Sequence, residues 1–174
     1  MKQVNSPEFV EYNKQVKRNA KVLADELIAR GHTLVTGGTD NHLVVLNVRD
    51  LKLTGSKVEK MCDALHITLN KNTIIGDKSA VTPGGVRIGT PAVTSRGYKE
   101  ADMKKVAEFI DRAVRLSIKI QDASPSKKLT DFTNMLPNDP EVKQLASEVE
   151  AFATQFDMPG FDATAIDTKA AKSH

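Results

Sequence analysis

The residue best suited to chemistry in this sequence is an arginine that lies between two apolar residues. The stretch GVRIGTPAVTSRG (residues 85–97) has the two-residue period of a β-strand, so Arg87 lies on one face while Val86 and Ile88 lie on the other. On the wall of a cleft, a guanidinium can bind a carboxylate or a phosphate through two parallel hydrogen bonds. The spacing alone favours a structural arginine paired with an internal acid, whereas the Gly-Thr-Pro that follows favours close approach of a ligand.

Other polar side chains have both a chemical and a structural interpretation. Asn72, in the stretch LNKNTIIGDKSA, can contact the donor and acceptor edge of a heterocycle, but the local composition favours a turn asparagine. His42 and Asp40 in TGGTDNH can form an acid–base pair, although a hairpin turn is favoured there. Arg96 can bind an anion or brace its loop, and bracing is favoured. No catalytic triad, carboxylate pair or phosphate-binding loop stands out.

The composition is that of an ordinary globular domain. The chain has 174 residues, of which 40% are hydrophobic and 27% charged, enough for one domain with a core. A net charge of +3 is mildly basic, but no Lys/Arg block and no Trp accompany it, so we expect no nucleic-acid partner. No apolar run approaches about 18 residues, so we expect no membrane partner.

The presence of a single cysteine limits the disulfide and metal sites that the chain can form. Cys62 has no second cysteine with which to form an intrachain disulfide, and a cysteine-based zinc site is not expected. Its place on the apolar face of a predicted helix indicates a buried small hydrophobe. Lone cysteines suit a reducing compartment, and no apolar signal segment follows Met1. We therefore expect a cytoplasmic protein.

Hydrophobic periodicity predicts elements in the order α-β-β-α-β-α-α. The first expected elements are a helix from Ser6 and Pro7 to Gly31, two strands within 32–50, and a helix that starts at a capping box of Ser56 and Glu59. A strand over 86–92, a helix over 98–123 capped by Thr94 or Ser95, and a helix over 141–156 are expected to follow. Loops are expected over 68–85 and 124–140. This order predicts an α/β protein of the α+β type, with a small, open, mostly antiparallel sheet and helices on one face.

The same pattern predicts how the chain is divided. Residues 1–31 form a long helix that leads into the domain, and its charged first half and apolar second half predict that this helix projects from the domain and docks elsewhere. Residues 32–161 form the small domain. Residues 162–174 are small and polar, which predicts a disordered tail.

Three separated motifs resemble the C-terminal part of serine hydroxymethyltransferases. TGGTDNHLVVLNVR, NKNTIIGDKSA and GVRIGTPAVTSRG occur in the order and spacing of that family, and the match covers roughly residues 2–161. The resemblance implies the fold of the C-terminal domain of fold-type I pyridoxal-phosphate transferases. It also implies a transferase that interconverts serine and glycine in one-carbon metabolism, with pyridoxal 5'-phosphate as cofactor and tetrahydrofolate as co-substrate.

The resemblance also implies roles for particular residues. Arg87 matches the arginine that binds the carboxylate of the amino-acid substrate. Asn72 matches an asparagine that contacts the pteridine ring of the folate, and Ser79, Ala80 and Val81 match backbone that lines the folate pocket. It assigns no catalytic, cofactor-binding or metal-binding residue to this chain.

Departures from the family pattern limit what this chain does alone. The family's Schiff-base lysine, ring-stacking histidine, ring-nitrogen aspartate and phosphate-binding loop have no match here, and Ile75 stands where the family usually has proline. We therefore expect an inactive isolated chain whose partner is the missing large domain, in a full-length homodimer or homotetramer. A mitochondrial location is an alternative, because the resemblance begins in the middle of the family sequence. A stand-alone protein-interaction or self-association module is the alternative function.

Overall fold

A computed structural model describes residues 3–79 and 81–161, so Ala80 and the predicted tail over 162–174 lie outside the described residues. Short 3₁₀ turns cover Gln3–Asn5, Arg49–Leu51 and Leu136–Asn138. In the described ranges the helices are α1 (Pro7–Ala29), α2 (Gly55–Ala64), α3 (Pro91–Ser95), α4 (Glu100–Ala123), α5 (Leu129–Met135) and α6 (Pro140–Ala153), and the strands are β1 (Thr33–Leu34), β2 (Leu43–Asn47), β3 (Asn70–Asn72) and β4 (Gly85–Gly89).

The four strands form one antiparallel sheet in the order β1-β2-β4-β3. Val44 pairs with Ile88 and Leu46 with Val86, and all four of these side chains are buried on one face. The side chains that alternate with them are exposed or half-buried on the other face. The predicted sheet with helices on one face is therefore confirmed.

Each long helix buries the face that its apolar spacing predicts. On α1 the buried residues include Val16, Ala20, Leu23, Ala24 and Leu27. On α2 and just after it they include Val58, Met61, Cys62 and Leu65. On α4 they include Phe109, Ile110, Ala113, Ser117 and Ile120, with Val106 partly buried. These faces form one core with the apolar side of the sheet, so the opposite side of the sheet stays open.

The first helix lies on the domain over most of its length. The Tyr12 hydroxyl donates to the carbonyl oxygen of Pro91 at 3.1 Å, and Gln15 is already buried. Phe9 and Val10 remain exposed. The expected projection is thus confined to the first turns, because polar contacts with α3 hold the helix from Tyr12 onwards.

Two helices begin at other residues than the sequence predicts. Thr54, not Ser56, caps α2, because its hydroxyl oxygen accepts a hydrogen bond from the Lys57 backbone N–H at 3.3 Å. Glu59 instead accepts a hydrogen bond from the Lys71 backbone N–H at 2.9 Å, which ties α2 to β3. The N-cap of α4 is Lys99, whose backbone N–H donates to the Asp102 carboxylate at 2.8 Å. The predicted caps of α4, Thr94 and Ser95, lie within α3.

The two predicted loops contain regular structure. The loop over 68–85 includes β3, which pairs with β4. The linker over 124–140 includes α5 and a 3₁₀ turn. The strand predicted over 86–92 ends at Gly89, and Pro91 then starts α3. None of the helices in the described ranges combines the length and apolar composition that crossing a membrane requires.

A buried amide joins α1 to the segment that follows β4. Asn19 is fully buried, and its amide nitrogen donates to the Thr94 hydroxyl at 2.8 Å and to the Tyr98 carbonyl oxygen at 2.9 Å. Its oxygen accepts from the Gln15 amide at 2.9 Å. Buried polar groups cost free energy when they lose their partners, so this network fixes α3 against α1.

We predict that Asn19→Ala lowers the free energy of unfolding by about 2–4 kcal/mol, because it leaves several buried polar groups without partners. Asn13→Ala on the same helix is the control, since the exposed Asn13 amide only donates to the Phe9 carbonyl oxygen of its own helix. Urea denaturation of both variants measures the difference. Equal losses for Asn19→Ala and Asn13→Ala would contradict the buried network.

Candidate functional site

Arg87 lies in the middle of the open face of the sheet. Its backbone partners are Val45 on β2 and Asn70 on β3, so the register places all three side chains on the same face. The Arg87 side chain is exposed and forms no ion pair or hydrogen bond with a residue that the structure describes. The internal acid that the structural interpretation requires is therefore not found in those ranges, and the guanidinium is available to a ligand.

A shallow depression surrounds this guanidinium. Its volume is about 380 Å³. It is lined by His42, Leu43, Thr68, Leu69, Asn70, Arg87 and Gly89. None of these described lining residues is acidic, so the guanidinium makes the depression attractive to an anion. Arginine offers five N–H donors in a planar fork, which matches the two oxygens of a carboxylate.

The Gly-Thr-Pro segment anchors the strand that carries Arg87. Thr90 is fully buried, and its hydroxyl donates to the Val16 carbonyl oxygen at 2.8 Å. Its backbone N–H donates to the His42 carbonyl oxygen at 2.9 Å. These bonds tie the end of β4 to both α1 and the start of β2. The position of Arg87 is therefore set by buried contacts that do not involve its own side chain.

Asn72 shares the open face with Arg87. It is the last residue of β3 and pairs with Gly85, so it lies on an edge strand and not in the turn that composition favours. Because Arg87 pairs with Asn70, Asn72 is its diagonal neighbour, about 7–8 Å away between Cα atoms. The Asn72 amide nitrogen donates to the Thr73 carbonyl oxygen at 2.6 Å. Its side-chain oxygen accepts no hydrogen bond from a described residue.

The remaining predicted folate residues follow Asn72 on the connection between β3 and β4. Ser79 is exposed, and its hydroxyl oxygen accepts a hydrogen bond from the Val81 backbone N–H at 3.1 Å. The Val81 side chain is 81% exposed. The structure therefore places Ser79 and Val81 on the outer surface, on the segment that begins at Asn72.

Of two other candidates from the sequence, Arg96 has a structural role and His42 lacks the predicted acid partner in the described ranges. The Arg96 guanidinium donates to the carbonyl oxygens of Phe156 at 2.9 Å and Asp157 at 3.2 Å, so it braces the C-terminal end of α6. The His42 ring forms no hydrogen bond with Asp40 in the described ranges. Across the described residues, no cluster of His, Cys, Asp and Glu could hold a metal ion.

Comparison with known proteins identifies the family. A family model described as serine hydroxymethyltransferase matches residues 1–110. The chain is 52% identical over 161 residues to serine hydroxymethyltransferase 5 of Arabidopsis thaliana. The aligned region covers 92% of this chain and 34% of that protein. This chain belongs to the serine hydroxymethyltransferase family.

Other relatives agree with this assignment. The mitochondrial serine hydroxymethyltransferase of Candida glabrata is 49% identical over 166 residues, covering 92% of this chain and 34% of that protein. The cytosolic serine hydroxymethyltransferase of Candida albicans is 45% identical over 159 residues, covering 90% of this chain and 34% of that protein. The chain thus spans about a third of the length of the curated relatives it matches.

Three residues near Arg87 and Asn72 were not among the candidates from the sequence. Asn70 lies opposite Arg87, and a correct register for β3 would have found it. Arg49 and Asp77 form an ion pair of 3.1 Å at the base of the segment that follows Asn72. No local signal links these two residues, because 28 positions separate them along the chain.

The single cysteine, Cys62, is inaccessible in the folded chain. Its side chain is fully buried in α2, as predicted, and burial raises the pKa of the thiol to about 12. The protonated thiol is a poor nucleophile at neutral pH.

We predict that Cys62 resists iodoacetamide at neutral pH in the native chain, because the thiol is both inaccessible and protonated. Intact-mass measurement after a timed incubation reports the modification. The same chain in guanidinium chloride is the control and should add one label. Equal labelling rates in the native and denatured chains would contradict the buried position of Cys62.

Proposed function

We propose that this chain is the part of a serine hydroxymethyltransferase that binds the substrate carboxylate and contacts the folate. The whole enzyme would interconvert serine and glycine with tetrahydrofolate. The observation that carries the proposal is the placement of Arg87 and Asn72 on the same open face, with the Arg87 guanidinium free of described partners. Membership of the family supports the choice of substrates.

Arg87 would bind and orient the amino acid. A guanidinium that donates two parallel hydrogen bonds to a carboxylate fixes both oxygens and so limits the rotation of the substrate. A carboxylate bound in this way would also hold the substrate Cα in one orientation. Pyridoxal phosphate, when bound, supplies the electron sink for reaction at this carbon.

The described residues of this chain do not fit the attachment of pyridoxal phosphate. Lys57 is the buried lysine among the described residues, and its amine donates to the Gln121 side-chain oxygen and to the Lys127 carbonyl oxygen, both at 2.6 Å. Burial, with the nearby Lys127 charge, lowers the pKa of Lys57, but its amine points into the protein and not to the open face. We therefore assign the cofactor to the remainder of the enzyme, and the isolated chain is inactive in this proposal.

Folate contact would come from the edge of the sheet. The Asn72 side chain presents an oxygen without a described hydrogen-bond donor, and this oxygen can accept a hydrogen bond from a pteridine ring. Ser79, Ala80 and Val81 would line the pocket with their backbone. The proposal places the pteridine beside the carboxylate site, because Asn72 and Arg87 are diagonal neighbours.

The partner of this chain would be the large domain that its relatives contain, in a homodimer or homotetramer. The relatives it matches are about three times as long, which supports a missing remainder. Relatives named cytosolic and mitochondrial both match, so we propose a cytoplasmic location with a mitochondrial one as the alternative.

A chimera tests the proposed function. In serine hydroxymethyltransferase 5 of Arabidopsis thaliana, the matching third is replaced by this chain. We predict that the chimera converts serine and that the isolated chain does not. Arg87→Ala should lower kcat/KM for serine about 100-fold or more, because two charge-assisted hydrogen bonds are lost. Arg87→Lys should also be poor, since an ammonium lacks the planar fork.

Arg115→Ala in the chimera is the matched control. Arg115 is exposed on α4 and, among the described residues, pairs only with Asp111 of its own helix, so serine turnover should stay unchanged. Turnover by Arg87→Ala that equals the control would contradict the role of Arg87. A folded chimera without activity would contradict the proposed function itself.

Self-association is the second candidate function, and an exposed apolar surface favours it. Val4, Phe9 and Val10 are exposed together at the start of the chain. We predict that the chain dimerises at high concentration in sedimentation velocity, and that Phe9→Ser with Val10→Ser returns it to the monomer. The control pair Asn13→Ser with Lys14→Ser should leave the dimer intact. A monomer at every concentration would contradict this candidate.

A further inference from the structure

A buried carboxylate closes the segment between β3 and β4. One oxygen of Asp77, Oδ2, accepts hydrogen bonds from the backbone N–H groups of Ile74 and Gly84, each at 2.8 Å. These two residues lie at opposite ends of the segment. The Asp77 side chain is only 6% exposed, so its bonds join the two ends beneath the surface. Hydrogen bonds from the Gly84 and Ile74 amides, with a smaller contribution from Arg49, lower the pKa of the Asp77 carboxyl.

Arg49, which follows β2, binds the same segment through both its side chain and its backbone. One guanidinium nitrogen donates to Asp77 Oδ1 at 3.1 Å, and another donates to the Ile75 carbonyl oxygen at 3.1 Å. The backbone N–H of Arg49 donates to the Gly84 carbonyl oxygen at 3.0 Å. A single arginine thus contacts both the middle and the end of the segment. We call Arg49, Asp77 and the backbone of Ile74 and Gly84 the clasp.

The packing around Gly84 leaves little space for a side chain at this position. A Cβ atom on Gly84 would lie 2.7 Å from Asp77 Oδ1 and 3.1 Å from the Arg49 Cβ. Ile74 is buried against Gly85, where an added Cβ would meet the Ile74 side chain at 2.5 Å. The clasp is therefore a tightly packed unit directly next to Asn72.

We propose that Asp77 and Arg49 are positioning residues for the folate, which they do not themselves touch. The clasp holds the segment that begins at Asn72 and carries Ser79, so that the folate meets these groups already in place. Ordering such a segment on binding costs free energy, which a preorganised segment avoids. This inference rests on the proposed function, and it adds that folate affinity depends on two residues outside the pocket.

The first test measures the clasp in the isolated chain. In Asp77→Ala the backbone N–H groups of Ile74 and Gly84 lose their acceptor, so their amide hydrogen exchange should accelerate about tenfold or more. Asp50→Ala is the control, because the neighbouring Asp50 contacts Asn47 and not the clasp. Exchange at both amides that stays unchanged in Asp77→Ala would overturn the proposal.

The second test separates positioning from general stability in the chimera. Asp77→Asn keeps the shape of the side chain. However, the NH₂ group of the asparagine is a donor, and it would face either the Arg49 N–H donors or the backbone N–H donors, with which it forms no hydrogen bond. It should raise KM for tetrahydrofolate about tenfold while KM for serine stays within about twofold, and Arg49→Lys should act in the same direction. Asp50→Asn makes the same change of charge one residue from Arg49 and should leave both KM values unchanged.

The outcomes distinguish this inference from the proposed function. An unchanged KM for tetrahydrofolate in Asp77→Asn, or equal rises in both KM values, would overturn the positioning role. Such a result leaves the Arg87 effect on serine intact, so the proposed function would still stand. The loss of the Arg87 effect on serine would instead overturn the proposed function.

Discussion

The antiparallel pairing of β4 with β2 is the constraint on which the rest of the site depends. Val86 opposite Leu46 and Ile88 opposite Val44 bury one face of both strands against α1, α2 and α4. A shift of the register by one residue would turn these side chains to solvent and bury Arg87 in the core. Hydrophobic burial thus selects the face on which the guanidinium lies, and the same register places Asn70 beside it.

Two sets of polar contacts then fix the ends of the strands. At one end, Thr90 and Asn19 bind α1 to the segment that leaves β4. At the other end, Arg49 and Asp77 bind the connection between β3 and β4. The Thr90 and Asn19 bonds are buried, where hydrogen bonds that lose a partner are costly, whereas the Arg49 side chain that binds Asp77 is 43% exposed. Hydrogen bonds therefore hold the backbone at both ends of the open face, which carries Arg87 and Asn72.

The sequence predicts the parts of this arrangement that arise from local periodicity. The buried faces of α1, α2 and α4 and the outward side of Arg87 follow from helical and strand spacing. The start of α2 does not follow from this spacing, because Ser56 and Thr54 both offer a capping hydroxyl. Close packing of Gly55 decides between them, since its backbone N–H donates to the Pro83 carbonyl oxygen at 2.7 Å. That contact joins residues far apart in the chain.

The strand that carries Asn72 was also beyond local prediction. Its three residues, Asn-Lys-Asn, favour turns, and only pairing with β4 makes them a strand. Asp77 likewise sits in a stretch of turn composition, whereas its role depends on Arg49 from another part of the chain. Local signals therefore identified Arg87 and Asn72 as candidates, while tertiary pairing determines that they share a face.

A crystal structure of the chimera with glycine bound tests the central claim most directly. We predict that both carboxylate oxygens of glycine lie about 2.7–2.9 Å from nitrogens of the Arg87 guanidinium, on the open face of the sheet. A glycine whose carboxylate is bound by other groups, with Arg87 still facing solvent, would contradict it.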